Sequence, residues 1–570
     1  MIALVASHAW AQAANDGSTP ATASGAPRIS KVVPLPVNPA KPLTPSKTDS
    51  ACPFAGQGLT VTLSKVKVDG ATAVTPAEVA KVSAPYLGAS RDLAVVCEVR
   101  DRVAALYIAK GFRLTRVDLP AQRISGGELH LQATEGFVSG INGDALSKMG
   151  PSAALARQYL SQAVGKRPTP WGDIERAVLL TRDIPGAEIG IRLHAVRGLT
   201  GGVELQSQAD NRRRFDLSTG FQFLGSQELG RGTLYARADA NSLTRYGDRT
   251  SVVVLGSTNL AQKVVEFTES ADIGASGLRG EAEIDYSLSN PKGALSPLKI
   301  SGDFLSIRTG LVYPFIRSQS LDIVGATHFE YIDQNNDLGL FQSVPGGGPT
   351  LFIDHLRIVT VQVETRWRPE TIPALAANLR VELRQGLQML GASHAGDANL
   401  SRDGVEDATV VRADGSVRWT FRGSAVGAAA PWIEVRGSGQ WANNSLLAYE
   451  QFQIGNYTLG RGYEPGAASG DRAIGGQIEA AWPLAFHLTR RGALFRVEPY
   501  AFYDTAYLKS LGPAGFSTRI LSVGAGARLQ LPFGLFLDAA YANPLVKPLP
   551  GSTKPPDRLI FTLNRAFSFR

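Results

Sequence analysis

"LSVGAGARLQL", residues 521–531, sets Leu521, Val523, Ala525, Ala527, Leu529 and Leu531 on one side of an extended chain. Ser522, Gly524, Gly526, Arg528 and Gln530 take the other side. Strand side chains alternate with a period of two, so this segment reads as a strand with one apolar and one polar face. A soluble sheet could use such a strand equally well. The pattern, however, recurs. "RFDLSTGFQF" (214–223) opposes Phe215, Leu217, Thr219, Phe221 and Phe223 to Asp216, Ser218, Gly220 and Gln222. "EAEIDYSLS" (281–289) and "LRVELRQGLQML" (379–390) repeat it, and "IFTLNRAFSFR" carries it to the last residues. About sixteen such runs follow Gly201, many near the ~10 residues of a tilted membrane strand.

Charge on one face and lipid-compatible side chains on the other point to a transmembrane β-barrel of about 16 antiparallel strands, residues 201–570. A closed barrel leaves no backbone group unpaired in lipid, which explains why the alternation persists. No apolar run approaches the ~18 residues that a membrane helix requires, although apolar residues make up 44% of the chain. A helical membrane protein is excluded on that ground.

The preceding residues have another texture. "TPAEVAKVSAPYLG" offers Thr75 as N-cap, Pro76 at the first helical position and Glu78 to close a capping box. A second helix places Val96, Val99, Val103, Leu106 and Tyr107 on one face, with Gly111 as its stop. "LTVTLSKVKVDG" before them reads as one strand with a bulge, and strands around "FRLTRVDL" and "GELHLQAT" follow. "SAALARQYLSQAVG", "TPWGDIERAVLLTRDIPG" and "AEIGIRLH" repeat the plan. Two small α+β units are therefore expected, over 58–136 and 137–200.

Residues 14–57 are rich in Pro, Ala and Ser, with prolines at 34, 36, 39, 42 and 45, and read as an extended tether. Residues 1–13 have a short apolar core and an Ala-x-Ala pattern, the mark of a secretory signal remnant. Cys52 and Cys97 are the only cysteines. One disulfide in an oxidising compartment and two separate buried thiols fit them equally. The formal charge of +8 is spread along the chain without a basic run, so nucleic acid is not an expected partner. Seven scattered histidines, including His194, His328 and His355, give no Ser-His-Asp or metal-ligand spacing. No Gly-x-x-x-x-Gly-Lys loop is present either. No enzyme chemistry, cofactor or metal is indicated.

"YTLGRGYEPG" (457–466) sets Arg461 between two glycines in a break between strands. Together with "APYLG", "LYIAKGF", "LPAQRISGGELHL", "DIERAVLLTRDIPG" and "DNRRRFDLSTG", it resembles the POTRA-barrel superfamily. Within that superfamily the chain is similar to the two-partner secretion transporters, which export haemolysins and filamentous adhesins. The resemblance covers roughly residues 58–570 and makes the two small units POTRA-like periplasmic domains. It implies that Arg461-Gly462-Tyr463 lies on a long loop, around 443–475, folded back into the lumen. Gly470 and Asp471 resemble that loop's returning limb. The loop arginine of the family meets an aspartate of a Phe-x-Asp motif on the barrel wall, here Phe502 and Asp504. Phe567 and Phe569 correspond to a C-terminal signal read by the barrel-assembly machinery. The family's pore-plugging helix has no counterpart in the Pro-rich tether.

The implied function is ATP-independent secretion of a large partner exoprotein bearing an N-terminal secretion domain. The implied setting is a monomer in outer-membrane lipid of a Gram-negative bacterium, with its POTRA domains in the periplasm. The alternative is an insertase for other barrel proteins. Those relatives carry three or more periplasmic units, whereas this chain has room for two.

Overall fold

The structure, a computed structural model, describes residues 52–569 apart from 340–349, 422–429, 456–458, 488–493, 513–514, 532–533 and 550–551. The signal remnant and nearly all of the tether lie outside the described residues, as do Tyr457 and Thr458 of the loop.

Sixteen antiparallel strands close on themselves. They run from Phe215–Phe223 to Arg558–Phe569, which pair with one another and seal the barrel. The twelfth, Arg472–Ala481, breaks at Trp482 and Pro483 and resumes as Leu484–His487 against the same neighbour. Proline has no N–H for the ladder, so an interruption there follows from its chemistry. The alternation seen in the sequence sorts side chains between two environments. Val252, Val254, Val265, Phe267, Ile284, Tyr286 and Leu288 stand outward and exposed. Asp239, Ser251, Glu266, Asp285, Ser287, Glu330, Arg384 and Glu434 face inward and are buried. At the closing seam Phe567 sits opposite Leu217 and Phe569 opposite Phe215, on the outward face.

Before the barrel, the first unit holds a sheet of Lys65–Asp69, Glu128–Thr134 and Arg116–Asp118, with helices Pro76–Ser83 and Val95–Ala109 packed on it. Leu63, Val99, Val103, Tyr107, Leu129 and Leu131 form its apolar core. The Thr75 hydroxyl accepts from the Glu78 amide at 3.3 Å, and the Glu78 carboxylate accepts from the Thr75 amide at 2.8 Å. That backbone hydrogen bond, helped by Lys110, draws the Glu78 carboxyl down to about 2 from its usual 4.5. The chain stops the second helix at Gly111, whose φ is +87°. A disulfide joins Cys52 to Cys97 on that helix, so the two are not separate thiols.

Two expectations change. The strand expected over "LTVTLSKVKVDG" is two strands, Thr60–Thr62 and Lys65–Asp69, in different sheets. Between them, Leu63 turns into the core, and the Ser64 amide donates to the Gly127 carbonyl at 2.8 Å. The phase slip is therefore a change of sheet and not a bulge. Second, Gly202–Arg212 belongs to the sheet of the second unit, between Phe137–Asn142 and Ala187–Ala195. The boundary expected at 200 cuts that sheet. The strand alternates as barrel strands do, which hid it among them.

The second unit packs helices Ala153–Ser161 and Trp171–Asp183 on this sheet. It is joined to the barrel's near rim by polar contacts. Arg317 holds Asp183 through two bonds of 2.8 Å and Asp322 through another of 2.8 Å. Arg176 donates to the carbonyls of Pro314 at 2.7 Å and Ser276 at 3.0 Å. Arg113 of the first unit reaches Glu370 on a turn of the same rim at 3.1 Å.

Candidate functional site

Between the eleventh strand, Trp432–Ala442, and the twelfth, residues 443–455 and 459–471 fold back into the lumen. Several local features make this possible. Phe452–Ile454 pairs with Ala468–Gly470 as a short antiparallel ribbon. Gly455, Gly460 and Gly466 adopt φ of +88°, +74° and +76°, which only glycine takes without strain. Phe452, Ile454, Leu459, Tyr463 and Ala468 pack against Ala506, Leu508 and Ile520 of the wall, giving the loop a small apolar core of its own.

At the tip, the structure brings Arg461 against Asp504 of the thirteenth strand, Leu494–Lys509. The guanidinium Nη2 lies 2.8 Å from Asp504 Oδ1 and Nε 3.1 Å from Oδ2. The Arg461 amide also donates to Oδ2 at 2.9 Å. Both side chains are removed from water, at 2% and 0% exposure. The guanidinium stacks on Phe502 with 3.4 Å to the ring centroid. A planar fork matched to a carboxylate and an aromatic face is a use of arginine that lysine does not reproduce.

Gly462 lies against the wall: a Cβ there would fall 2.8 Å from both Pro544 N and Ser522 Cβ. The Tyr463 hydroxyl sits 2.9 Å from the Leu521 carbonyl and 2.8 Å from that of Val546. Arg558 of the last strand donates to the Tyr463 carbonyl. Gly470 is similarly close to the wall, its Cβ position 3.1 Å from Leu508 Cβ. Asp471 ends the returning limb and is fully buried. It accepts from the Leu446 amide at 3.0 Å, Gln451 at 2.9 Å and Arg402 at 2.9 Å.

The wall behind the tip holds a charge network not singled out in the sequence. Glu479 accepts from Arg461 at 2.7 Å and from Arg528 at 2.6 Å. Arg528 also reaches Glu498 at 2.8 Å and Asp538 at 3.3 Å. The Tyr500 hydroxyl donates to Asp538 at 2.7 Å. Five strands, from the eleventh to the fifteenth, thus present one inward patch on which the loop tip rests, with Trp432 donating to Glu498 at 3.3 Å. In the sequence, Glu498 and Arg528 are single charges among alternating residues. Their partners lie tens of residues away, so only the closed barrel reveals the network.

The fold and the lumen define the class first: an outer-membrane β-barrel with a POTRA domain and a loop packed inside its bore. Family comparison agrees and narrows it. Residues 61–136 match the POTRA domain of ShlB type. Residues 353–529, which include the loop and Asp504, match the haemolysin secretion/activation protein family ShlB/FhaC/HecB. Over those two stretches the chain is similar to that family of outer-membrane secretion proteins. It is 21% identical over 259 residues to the heme/hemopexin transporter protein HuxB of Haemophilus influenzae, covering 45% of each chain. It is 33% identical over 102 residues to the outer membrane transporter CdiB of Escherichia coli, covering 18% of this chain and 17% of that one. The match thus spans less than half the length of these curated relatives. The structure of CdiB from Escherichia coli superposes with a TM-score of 0.72 at 17% identity, covering 92% of this chain and 93% of that one. BamA from Haemophilus ducreyi, lacking POTRA domains 1–3, superposes at 0.50 with 13% identity, covering 89% and 100%.

Proposed function

We propose that the protein secretes one large partner exoprotein across the outer membrane, capturing it in the periplasm and passing it through the lumen without ATP. The observation that carries this reading is the inward loop, anchored by Arg461 on Asp504 in a bore lined with polar and charged groups. Such a lumen offers a passing polypeptide hydrogen-bonding partners instead of lipid. The loop keeps that path in a defined conformation until it shifts. Its lock is polar and directional, so it can exchange for contacts with the cargo. A purely apolar plug would have no such substitute.

The POTRA-like units, 58–136 and 137–200 with the added strand to 212, supply exposed sheet edges. An extended, unfolded chain can add to such an edge through main-chain hydrogen bonds, with little demand on its sequence. Folding outside the cell then biases movement outward. Phe567 and Phe569, outward on the sealing strand, serve the chain's own assembly as a C-terminal recognition signal. The working unit is the monomer.

Insertion of other barrels is the second reading, favoured by the shared fold with BamA. Deleting the gene in its host separates the two. Loss of one large exoprotein from the supernatant, with other outer-membrane barrels unchanged, is the expected result. A general fall in barrel proteins would overturn secretion in favour of insertion.

A further inference from the structure

The tip is not the only place where the loop is bonded. Just after the loop leaves the eleventh strand, Glu450 turns inward and is buried. Arg384 of the ninth strand, Leu375–Gly386, grips it with Nε and Nη2 at 2.9 and 2.7 Å. Arg384 is 1% exposed and also holds Glu330 of the seventh strand, Leu321–Leu338, at 2.8 Å and Glu382 at 2.7 Å. Arg412 of the tenth strand, Thr409–Thr420, donates to the Glu450 carbonyl at 2.9 Å. Beside this knot Tyr449 stacks on Phe304, with centroids 5.6 Å apart, and Leu447 joins Phe304, Ile332, Leu356 and Ile358 in an apolar cluster.

These contacts lie on strands six to eleven. The ion pairs of Arg461 lie on strands twelve and thirteen, at Glu479 and Asp504, whereas those of Glu450 lie on strands nine and ten, at Arg384 and Arg412. The loop is thus held at two places, its root and its tip paired to different strands of the wall. Between the two anchors stand Gly455 and Gly460, both at positive φ. Dihedral freedom is placed where a bend between two fixed ends would need it.

We propose that Glu450 and Arg384 form a root clamp that positions the lumenal loop independently of Arg461. The tip then releases while the root stays fixed, so the loop pivots on Glu450 and does not leave the lumen. This rests on the proposed function only in requiring that the loop yield. Its test reads loop position in the purified protein, so a failure of secretion would not affect it. Two charge clusters whose ion pairs lie on different strands should behave nearly additively, each insensitive to loss of the other within about twofold.

The experiment uses two cysteine-pair reporters in the full-length folded chain, each bridged by a short bis-thiol reagent. Ser401→Cys with Ala448→Cys reads the root, where the Ala448 amide now donates to the Ser401 hydroxyl at 3.0 Å. Arg231→Cys with Glu464→Cys reads the tip, where the ends of these two long side chains now pair at 3.1 Å. Glu450→Gln is the main variant, because it leaves Arg384 paired with Glu330 and Glu382 on the wall. Heat-modifiable gel mobility selects folded barrels in every sample. Glu450→Gln should slow root cross-linking by about tenfold, since breaking a buried pair is strongly unfavourable, and leave the tip within about twofold. Arg461→Gln should do the reverse. Glu450→Asp, which keeps the carboxylate, should hold the root rate closer to the parent than Glu450→Gln does, whereas a purely steric role favours the better-fitting Gln. If either variant slows both reporters together, the loop is one rigid latch and the proposal fails. It fails equally if Glu450→Gln leaves the root rate unchanged.

Discussion

The first periplasmic unit and the barrel are built from the same residue types turned in opposite directions. In the unit, Val99, Leu129 and Leu131 are hidden, and charge sits outside. In the barrel, Ile284, Tyr286 and Leu288 stand outward, while Arg384, Glu434 and Glu479 are buried. The difference lies in the surroundings. Water drives the unit's apolar groups together. Lipid exerts no such pull, so the barrel holds its form through a closed ladder and uses its interior for charge. Charges inside a membrane protein are costly unless paired and facing a cavity, which is how these are arranged.

The strongest way to break this comparison is to place one arginine in each region. Leu131→Arg buries an unpaired charge in the unit's core and should cost more than about 5 kcal/mol, enough to unfold it. Ile284→Arg, on the lipid face of the fifth strand, should cost only about 2–4 kcal/mol and leave a folded barrel. Limited proteolysis for the unit and heat-modifiable mobility for the barrel read the two outcomes. Equal losses would contradict the inverted architecture.

Arg461→Gln comes next. It leaves Asp504 and Glu479 buried beside one less cation, a change of about 3–5 kcal/mol for a broken buried pair. A lowered temperature of barrel unfolding is expected, partly relieved when Asp504→Asn is added. The disulfide sharpens the comparison from the periplasmic side. Replacing Cys52 and Cys97 by serine frees a 45-residue loop and should destabilise the first unit by about 2–4 kcal/mol, with no change in the barrel's melting.

The smallest effect belongs to Glu78. Its folded pKa, about 2, lies below the usual 4.5. Its contribution is therefore complete above pH 4.5 and is lost as the pH falls toward 2. Glu78→Gln should flatten that part of the unit's stability profile, measured by thermal melts across the window.

The alternation made the barrel legible, because a period of two in 521–531 or 281–289 survives in the folded strands without distortion. Arg461 and Asp504 were both marked in the sequence, and the structure sets them in contact. Glu479, Asp538, Arg384 and Glu450 were not marked. Each alone is one more charge on a polar face, and Glu450 stands 66 residues from Arg384. Such partnerships exist only once sixteen strands close. Two misreadings share a cause. Gly202–Arg212 alternates like a barrel strand, and the slip at Leu63 and Ser64 looks like a bulge. In both, a local period reports that a strand is present but not which sheet it joins.

The most direct test of the account complements the deletion strain with Asp504→Asn and measures exoprotein in the supernatant beside the level of folded barrel in the outer membrane. The account predicts that secretion falls by at least about tenfold, the size of effect that follows from loss of a buried charge pair, while folded barrel stays near its normal level. Normal secretion from a normally folded Asp504→Asn barrel would contradict it.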